Sequence, residues 1–306
     1  MMRIRVLGSA AGGGFPQWNC GCPNCSGARA GTIAAKTRSQ ECVAVSCDGD
    51  HWFLLNASPE IRAQIESFPP LHPRAARHSP IAGIVLTSGD LDHCLGLLSL
   101  RESHPLVIYA TDAVRRGFTE RSVLYRTLER FPGQVTWKRL ECGAETELTI
   151  ESGLPSGLRI KAVAAPGKPP VHLEGIDSKT PDENVGVTIS DVETGKRMAY
   201  FSAAGGITDV VRDELAVADC AFFDGTFWSE TELIDLRLGT KRAADMAHVP
   251  IGGPTGSLRA LDRIGARRVF IHINNTNPIL RDDSREAAEV RAAGWEIAED
   301  GLEVVL

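Results

Sequence analysis

The chain has 306 residues, 43% of them hydrophobic and 24% charged, with a formal net charge of −6. That is enough chain to bury a sizeable core, and the composition excludes both intrinsic disorder and a collagen-like repeat. The acidic balance, with no basic run anywhere, argues against nucleic acid as a partner, because phosphate binding needs a basic face.

Met1-Met2-Arg3-Ile4-Arg5-Val6-Leu7-Gly8 alternates like a strand and lacks the apolar core of a secretory signal. No apolar stretch approaches the roughly 20 residues needed to span a bilayer. The expectation is a cytoplasmic protein without membrane insertion, whose eight cysteines serve as free thiols or metal ligands rather than disulfides. Asn19-Cys20-Gly21-Cys22-Pro23-Asn24-Cys25 places Cys20, Cys22 and Cys25 on a Gly/Pro-rich loop. This C-x-C-x-x-C spacing suits tetrahedral wrapping of a structural zinc by thiolates, with free thiols or redox chemistry as the alternatives. A fourth ligand must come from elsewhere. The other cysteines lie in apolar runs and read as small core residues.

Period and punctuation predict strands over 4–7, 42–46, 52–56, 83–86, 107–110, 135–137, 158–163, 185–190, 198–202, 221–224, 269–273 and 303–305. Helices are predicted over 59–67, capped by Ser58 with Pro59 in the first turn, and from near Cys94, Asp112, Thr208 and Gly256. A last helix runs over 284–293 and stops at Gly294. Early strands follow one another without helices and later ones alternate with them. The pattern fits an αββα sandwich of two mixed β-sheets flanked by helices. No linker divides the chain, so 1–306 reads as a single domain. The Pro-rich segment 166–184 has neither period, and a long loop of this kind is either a functional lid or disordered.

Chemistry gathers where two apolar runs end. Thr87-Ser88-Gly89-Asp90-Leu91-Asp92-His93 follows the run ending Ile84-Val85-Leu86, and so stands where open α/β sheets place ligands. Asp90, Asp92 and His93 could hold a cation, or the aspartates could cap the next helix. Far downstream, Arg268-Val269-Phe270-Ile271-His272-Ile273 carries a histidine in a strand. A lone core histidine usually only packs, but two strand ends that converge on one cation favour a ligand role for His272. His248, in Asp245-Met246-Ala247-His248-Val249-Pro250, precedes a Gly-rich loop and is the acid/base candidate, against plain packing in a loop. Asp224 ends another strand and either orients substrate or caps a turn.

These residues resemble a known family. Thr87 to His93 looks like the T-H-x-H-x-D-H signature of the metallo-β-lactamase fold, with Ser88 and Asp90 in place of the first two histidines. Gly8-Ser9-Ala10-Ala11-Gly12-Gly13-Gly14, Asn19-Cys20-Gly21-Cys22, Asn56-Ala57-Ser58-Pro59-Glu60, Asp224-Gly225-Thr226-Phe227-Trp228 and Ile271-His272-Ile273-Asn274-Asn275-Thr276-Asn277-Pro278 together resemble the coenzyme pyrroloquinoline quinone (PQQ) synthesis protein B family. The resemblance spans essentially the whole chain. It implies a cytoplasmic step in PQQ biosynthesis, either iron-dependent oxygenation of the tyrosine ring of a cross-linked glutamate–tyrosine precursor by O2, or carriage of PQQ for export. It also implies a structural zinc on Cys20, Cys22 and Cys25. In related phosphodiesterases the fourth ligand is a histidine three residues after the last metal-binding histidine; in this chain that position is Asn275.

The departures from the hydrolase pattern point the same way. A dinuclear zinc hydrolase of this fold needs both leading histidines, a middle histidine and a bridging aspartate. Here Ser88 replaces one ligand, no histidine stands near Ala165, and Tyr200-Phe201-Ser202-Ala203-Ala204 puts alanine at the bridging position. What remains is Asp92, His93 and His272, with Asp90 as a further ligand or an outer acceptor. Two histidines and a carboxylate are the facial set of Fe(II) oxygenases. The expectation is Fe(II) at this site and Zn at the cysteines. The substrate is a small peptide-derived PQQ precursor, with Lys168 and Arg281 as candidate partners for its carboxylates, and a homodimer is compatible. A zinc hydrolase and a PQQ carrier are the rival readings.

Overall fold

The computed structural model describes residues 1–151, 153–175 and 180–306. Two seven-stranded sheets face one another, with helices on their outer sides. The first is built from β1 (Arg3–Gly8), β2 (Cys42–Ser46), β3 (Trp52–Leu55), β4 (Ile81–Val85), β5 (Leu106–Ala110), β6 (Val135–Arg139) and the last strand β14 (Glu303–Val305), in the order β14-β1-β2-β3-β4-β5-β6. The second holds β7 (Glu145–Thr149), β8 (Pro155–Ala164), β9 (Val185–Asp191), β10 (Arg197–Phe201), β11 (Cys220–Asp224), β12 (Arg267–Ile271) and β13 (Trp295–Ile297), in the order β13-β12-β11-β10-β9-β8-β7. Both sheets are mixed: β3 to β6 run parallel to one another, as do β10 to β13, while β1–β2, β2–β3 and β7 to β10 pair antiparallel.

Covered on both faces, the central strands read as unbroken apolar runs. Val6, Val45, Phe53 and Tyr109 of the first sheet meet Ile160, Val187, Tyr200, Phe222 and Val269 of the second in one core. On the outer faces Leu54, Ile84 and Ile108 pack with Ile61, Phe68 and Phe118, while Phe201, Phe223 and Phe270 pack with Val211, Leu215 and Val290. Complete burial of each such side chain stabilises by about 1.5–3 kcal/mol.

The helices are α1 (Pro23–Ala30), α2 (Ile61–Glu66), α3 (Leu91–Cys94), α4 (Asp112–Arg121), α5 (Asp209–Ala216), α6 (Glu232–Asp235), α7 (Ser257–Ala260) and α8 (Arg285–Ala292). Thr111, Thr208 and Ser284 cap α4, α5 and α8 with their hydroxyls. Three expectations need correction. The cysteine segment is not all loop, because Pro23 opens a helix that Gly31 closes at φ 66°. Ser58 does not cap α2; its hydroxyl donates to Gln64 Oε1, and Glu60 takes the cap position. Strands β7 and β13 lie outside the predicted set: β7 buries little beyond Leu148, and β13 follows α8 after only Ala293 and Gly294.

Of the 166–184 segment, residues 176–179 lie outside the described residues. The part before them is fastened down: Gly205 N donates to Pro166 O, and a Cβ on Gly167 would meet Asn184 at 2.5 Å.

Candidate metal centre

Chain direction explains which residues meet. β4 of one sheet and β11 and β12 of the other end at one edge, delivering Thr87 to His93, Asp224 to Thr226, and His272. β2 runs antiparallel to β3, which is parallel to β4. The residue before β2, Glu41, therefore arrives at the same edge. Sequence reasoning passed over Glu41. Its only signal was a carboxylate immediately before a fully buried strand.

Asp92, His93 and His272 bring ligand atoms within 4.8 Å of one another. His272 Nε2 lies 3.2 Å from Asp92 Oδ2, and His93 Nε2 lies 3.9 Å from the same oxygen and 3.4 Å from Glu41 Oε2. His93 Nε2 and Glu41 Oε1 are buried without hydrogen-bond partners, the state expected of groups that await a cation. Asp90 is not part of this set. It also leaves the start of α3 uncapped by its side chain, and instead its Oδ2 accepts from Ser88 Oγ at 3.1 Å.

Hydroxyl groups fix both imidazoles. Ser88 donates to Asp90 and Thr87 Oγ1 donates to Asn56 Oδ1 at 3.0 Å, so each can only accept from His93 Nδ1, at 3.0 and 3.4 Å. Thr226 Oγ1 donates to Asp224 Oδ1 at 2.6 Å and accepts from His272 Nδ1 at 2.8 Å. In both rings Nδ1 carries a proton, which leaves Nε2 facing the site as the nitrogen that takes either a proton or a metal ion. Ser88 thus replaces a ligand with a support for one.

Asp224, His248 and His272 form a second convergent set, but Asp224 has no lone pair left for a metal. Its Oδ1 accepts from Thr226 N and Oγ1, and its Oδ2 accepts from Ala204 N at 2.9 Å and His248 Nδ1 at 2.7 Å. Asp224 and His248 are instead a carboxylate–imidazole dyad that leaves His248 Nε2 as its open nitrogen. Burial would raise the Asp224 carboxyl, yet His248, His272 and Thr226 hold it below its ordinary value. Asp92 is likewise held low against its burial, by His93 and His272. Burial opposes charge on His272, but Asp92, Asp224 and Glu41 outweigh it and lift that imidazole to about 9. Burial raises Glu41, with His93 and His272 in opposition. The site therefore draws positive charge to His272 Nε2, either a proton or a metal ion, and its donor set of two imidazoles and nearby carboxylates fits a single metal.

The cavity above these groups holds about 180 Å³ and is lined among others by Asp90, Gly167, Lys168, Asn184, Phe227, His248 and Asn274. Lys168 is its single Lys or Arg among the described residues. Arg281 is not in the lining and pairs with Asp283 at 3.5 Å. His172 is exposed.

Cys20, Cys22 and Cys25 also lie within 4.8 Å of one another. Backbone N–H groups of Gln17, Cys22 and Cys25 donate to sulfur at 3.4 Å, and Asn275 Nδ2 reaches Cys25 Sγ at 3.2 Å and Cys22 Sγ at 3.8 Å. Asn275 thus turns its side-chain NH2 towards the thiol triangle. Burial and the adjoining thiols push Cys22 up to about 12, while Cys20 is lowered against its burial by hydrogen bonds from Cys22, Cys25 and Asn275. Three thiols this close ionise together only around a cation, so the cluster fits zinc.

A profile of the β-lactamase superfamily domain matches residues 51–273. Coenzyme PQQ synthesis protein B of Methylobacillus flagellatus is 45% identical over 308 residues, and that of Azotobacter vinelandii is 42% identical over 307, each match covering 100% of both chains. This chain belongs to the coenzyme PQQ synthesis protein B family, within the β-lactamase superfamily. The crystal structure of Zn2+-bound PqqB from Methylobacterium extorquens is 41% identical, with a TM-score of 0.92 over 99% of this chain and 100% of that one. A diphosphatase of the PhnP family shares the fold, at 22% identity and a TM-score of 0.67 over 100% of this chain and 98% of that one. The metallo-β-lactamase fold of two mixed seven-stranded sheets with flanking helices is as expected, and no helix among the described residues is long and apolar enough to cross a membrane.

Proposed function

We propose that this chain acts in PQQ biosynthesis as a mononuclear metal enzyme that oxygenates the tyrosine ring of the cross-linked glutamate–tyrosine precursor. The observation that carries this reading is the ligand set. Asp92, His93 and His272 converge, while Ser88 supports a ring and Ala204 contributes only its backbone N–H to Asp224. A hydrolytic pair of metals lacks its ligands, whereas one Fe(II) on two imidazoles and a carboxylate would supply oxygen activation with positions left open.

The chain's own residues perform the rest. Asp224 accepts the Nδ1 proton of His248, so His248 Nε2 takes a proton from the phenol or returns one. Phe227 meets the His248 ring edge-on at 5.9 Å and helps to hold it. Lys168, half-buried on the fastened strap, offers a cation to a substrate carboxylate. At the cysteines a zinc would clamp the segment from Cys20 to Cys25 around the start of α1, with Asn275 of the loop after His272 beside it.

The test is to reconstitute the protein anaerobically with iron, add the cross-linked diamino acid and a reductant such as ascorbate, whose two electrons reduce the second oxygen atom to water, then admit oxygen and weigh the product. Gain of one oxygen atom is expected, with no hydrolysis of phosphodiesters by the zinc-loaded form. Hydrolysis with zinc and no oxygen uptake with iron would restore the hydrolase reading, and tight binding of PQQ without turnover would favour the carrier.

A further inference from the structure

One buried acid plays no part in that chemistry. Glu232, at the start of α6, is 6% exposed. Its Oε2 accepts from Trp228 N at 2.7 Å, and its Oε1 accepts from Thr276 Oγ1 at 2.5 Å. Thr276 Oγ1 in turn lies 2.5 Å from Asn274 Nδ2, and Asn274 lines the cavity. A hydroxyl has one proton. Thr276 gives its proton to the glutamate, so towards Asn274 it can only accept, and the asparagine must turn its NH2 to Thr276. The carboxamide oxygen is then left on the cavity side.

We infer that Glu232 and Thr276 are positioning residues that lock Asn274 with its Oδ1 towards the substrate, where it accepts a hydrogen bond from a substrate ammonium group. The inference rests on the reading above, in which the substrate is an amino acid. It also rests on the cavity itself, whose lining carries, apart from the metal-binding Asp92, the carboxylate of Asp90 beside the one lysine. A lining that offers a carboxylate, an amide oxygen and a lysine matches the two charges of a zwitterion.

The chain of donors can be reversed without changing its shape. In Glu232→Gln the amide must keep its oxygen on Trp228 N, so its NH2 faces Thr276. Thr276 then accepts from residue 232 and donates to Asn274, whose carboxamide flips and points NH2 at the substrate. A purely structural role for Glu232 would leave ligand choice untouched by this isosteric change.

The experiment measures binding at pH 8 to the zinc-loaded full chain by calorimetry, so that no turnover is required. The probes are L-tyrosine, its deaminated analogue 3-(4-hydroxyphenyl)propionate, and the cross-linked diamino acid. Wild type should prefer L-tyrosine to the deaminated analogue by about tenfold or more, the worth of a hydrogen bond to a charged group. Asn274→Ala, Thr276→Val and Glu232→Gln should each lose that preference and weaken the diamino acid similarly, while Thr276→Ser retains both. In turnover the loss should fall on KM, with kcat nearly unchanged. Wild type without preference for the ammonium, or Glu232→Gln with the preference intact and a normal thermal unfolding curve, would overturn the inference. Absence of oxygenation in every variant alongside an intact binding pattern would instead count against the oxygenase reading alone.

Discussion

At the scale of single residues, the centre is governed by protons on hydroxyl groups. Ser88→Ala removes the nearer acceptor for His93 Nδ1, at 3.0 Å, and leaves only Thr87 at 3.4 Å. Metal affinity at the active site should fall by about tenfold or more, as for other outer supports of metal ligands; competition with a chelator measures it, and unchanged affinity would show Thr87 to be sufficient. Glu232 carries a stability signature of its own. Burial lifts its carboxyl from 4.5 to about 7 against the opposing hydrogen bonds from Thr276, Trp228 and Ser229. The folded state therefore holds the proton more tightly than the unfolded state. The associated stability is complete below pH ~4.5 and is lost as pH rises through ~7, by up to about 3 kcal/mol. Denaturant titrations between those limits should slope downward with pH for wild type and flatten for Glu232→Gln. These residues were unevenly legible. Asp92, His93 and His272 stood out because polar groups broke apolar runs. Glu41, Thr226 and Asn274 did not, since their roles depend on which strand edge they reach and which proton a neighbour has already spent.

At the scale of elements, α1 separates two roles of one side chain. Cys22 occupies the N-cap, where its sulfur accepts from Cys25 N at 3.4 Å, and it is also one of three clustered thiols. Serine is at least as good a cap. Cys22→Ser should therefore spare the helix and cost only what the cluster contributes: a lower thermal midpoint and loss of one zinc per chain by elemental analysis, with the chemistry of a pre-loaded active site little changed. Equal midpoints would dismiss a structural metal. This helix could have been found in the sequence, since Pro23 at its first position and Gly31 just past its end are ordinary start and stop signals. The close spacing of Gly and Pro disguised them as loop. Most strands were legible because burial on both faces leaves continuous apolar runs. β7, polar on all but one buried position, offered no such run.

At the scale of the molecule, the two sheets contribute different halves of the centre. Glu41, Asp92 and His93 come from the first and its connections, Asp224 and His272 from the second. The alternation of elements along the chain made two sheets readable from sequence, but not their facing edges, because the contact between Asp92 and His272 spans 180 positions. That separation has a mechanical meaning. An ion seated there would act as a removable rivet between segments that far apart, bound by the folded chain and released by the unfolded one, whose ligands are scattered. Stripping the ion should lower the unfolding temperature even in variants that have lost the cysteine metal, and restoring it should raise the temperature with ion concentration. Calorimetric scans across a metal titration would measure this; identical scans would mean that the sheets hold their alignment unaided. A protein riveted in this way would lose its grip between the sheets and its reactive centre in the same event, so that a cell short of the metal would hold a looser protein, not merely an idle one.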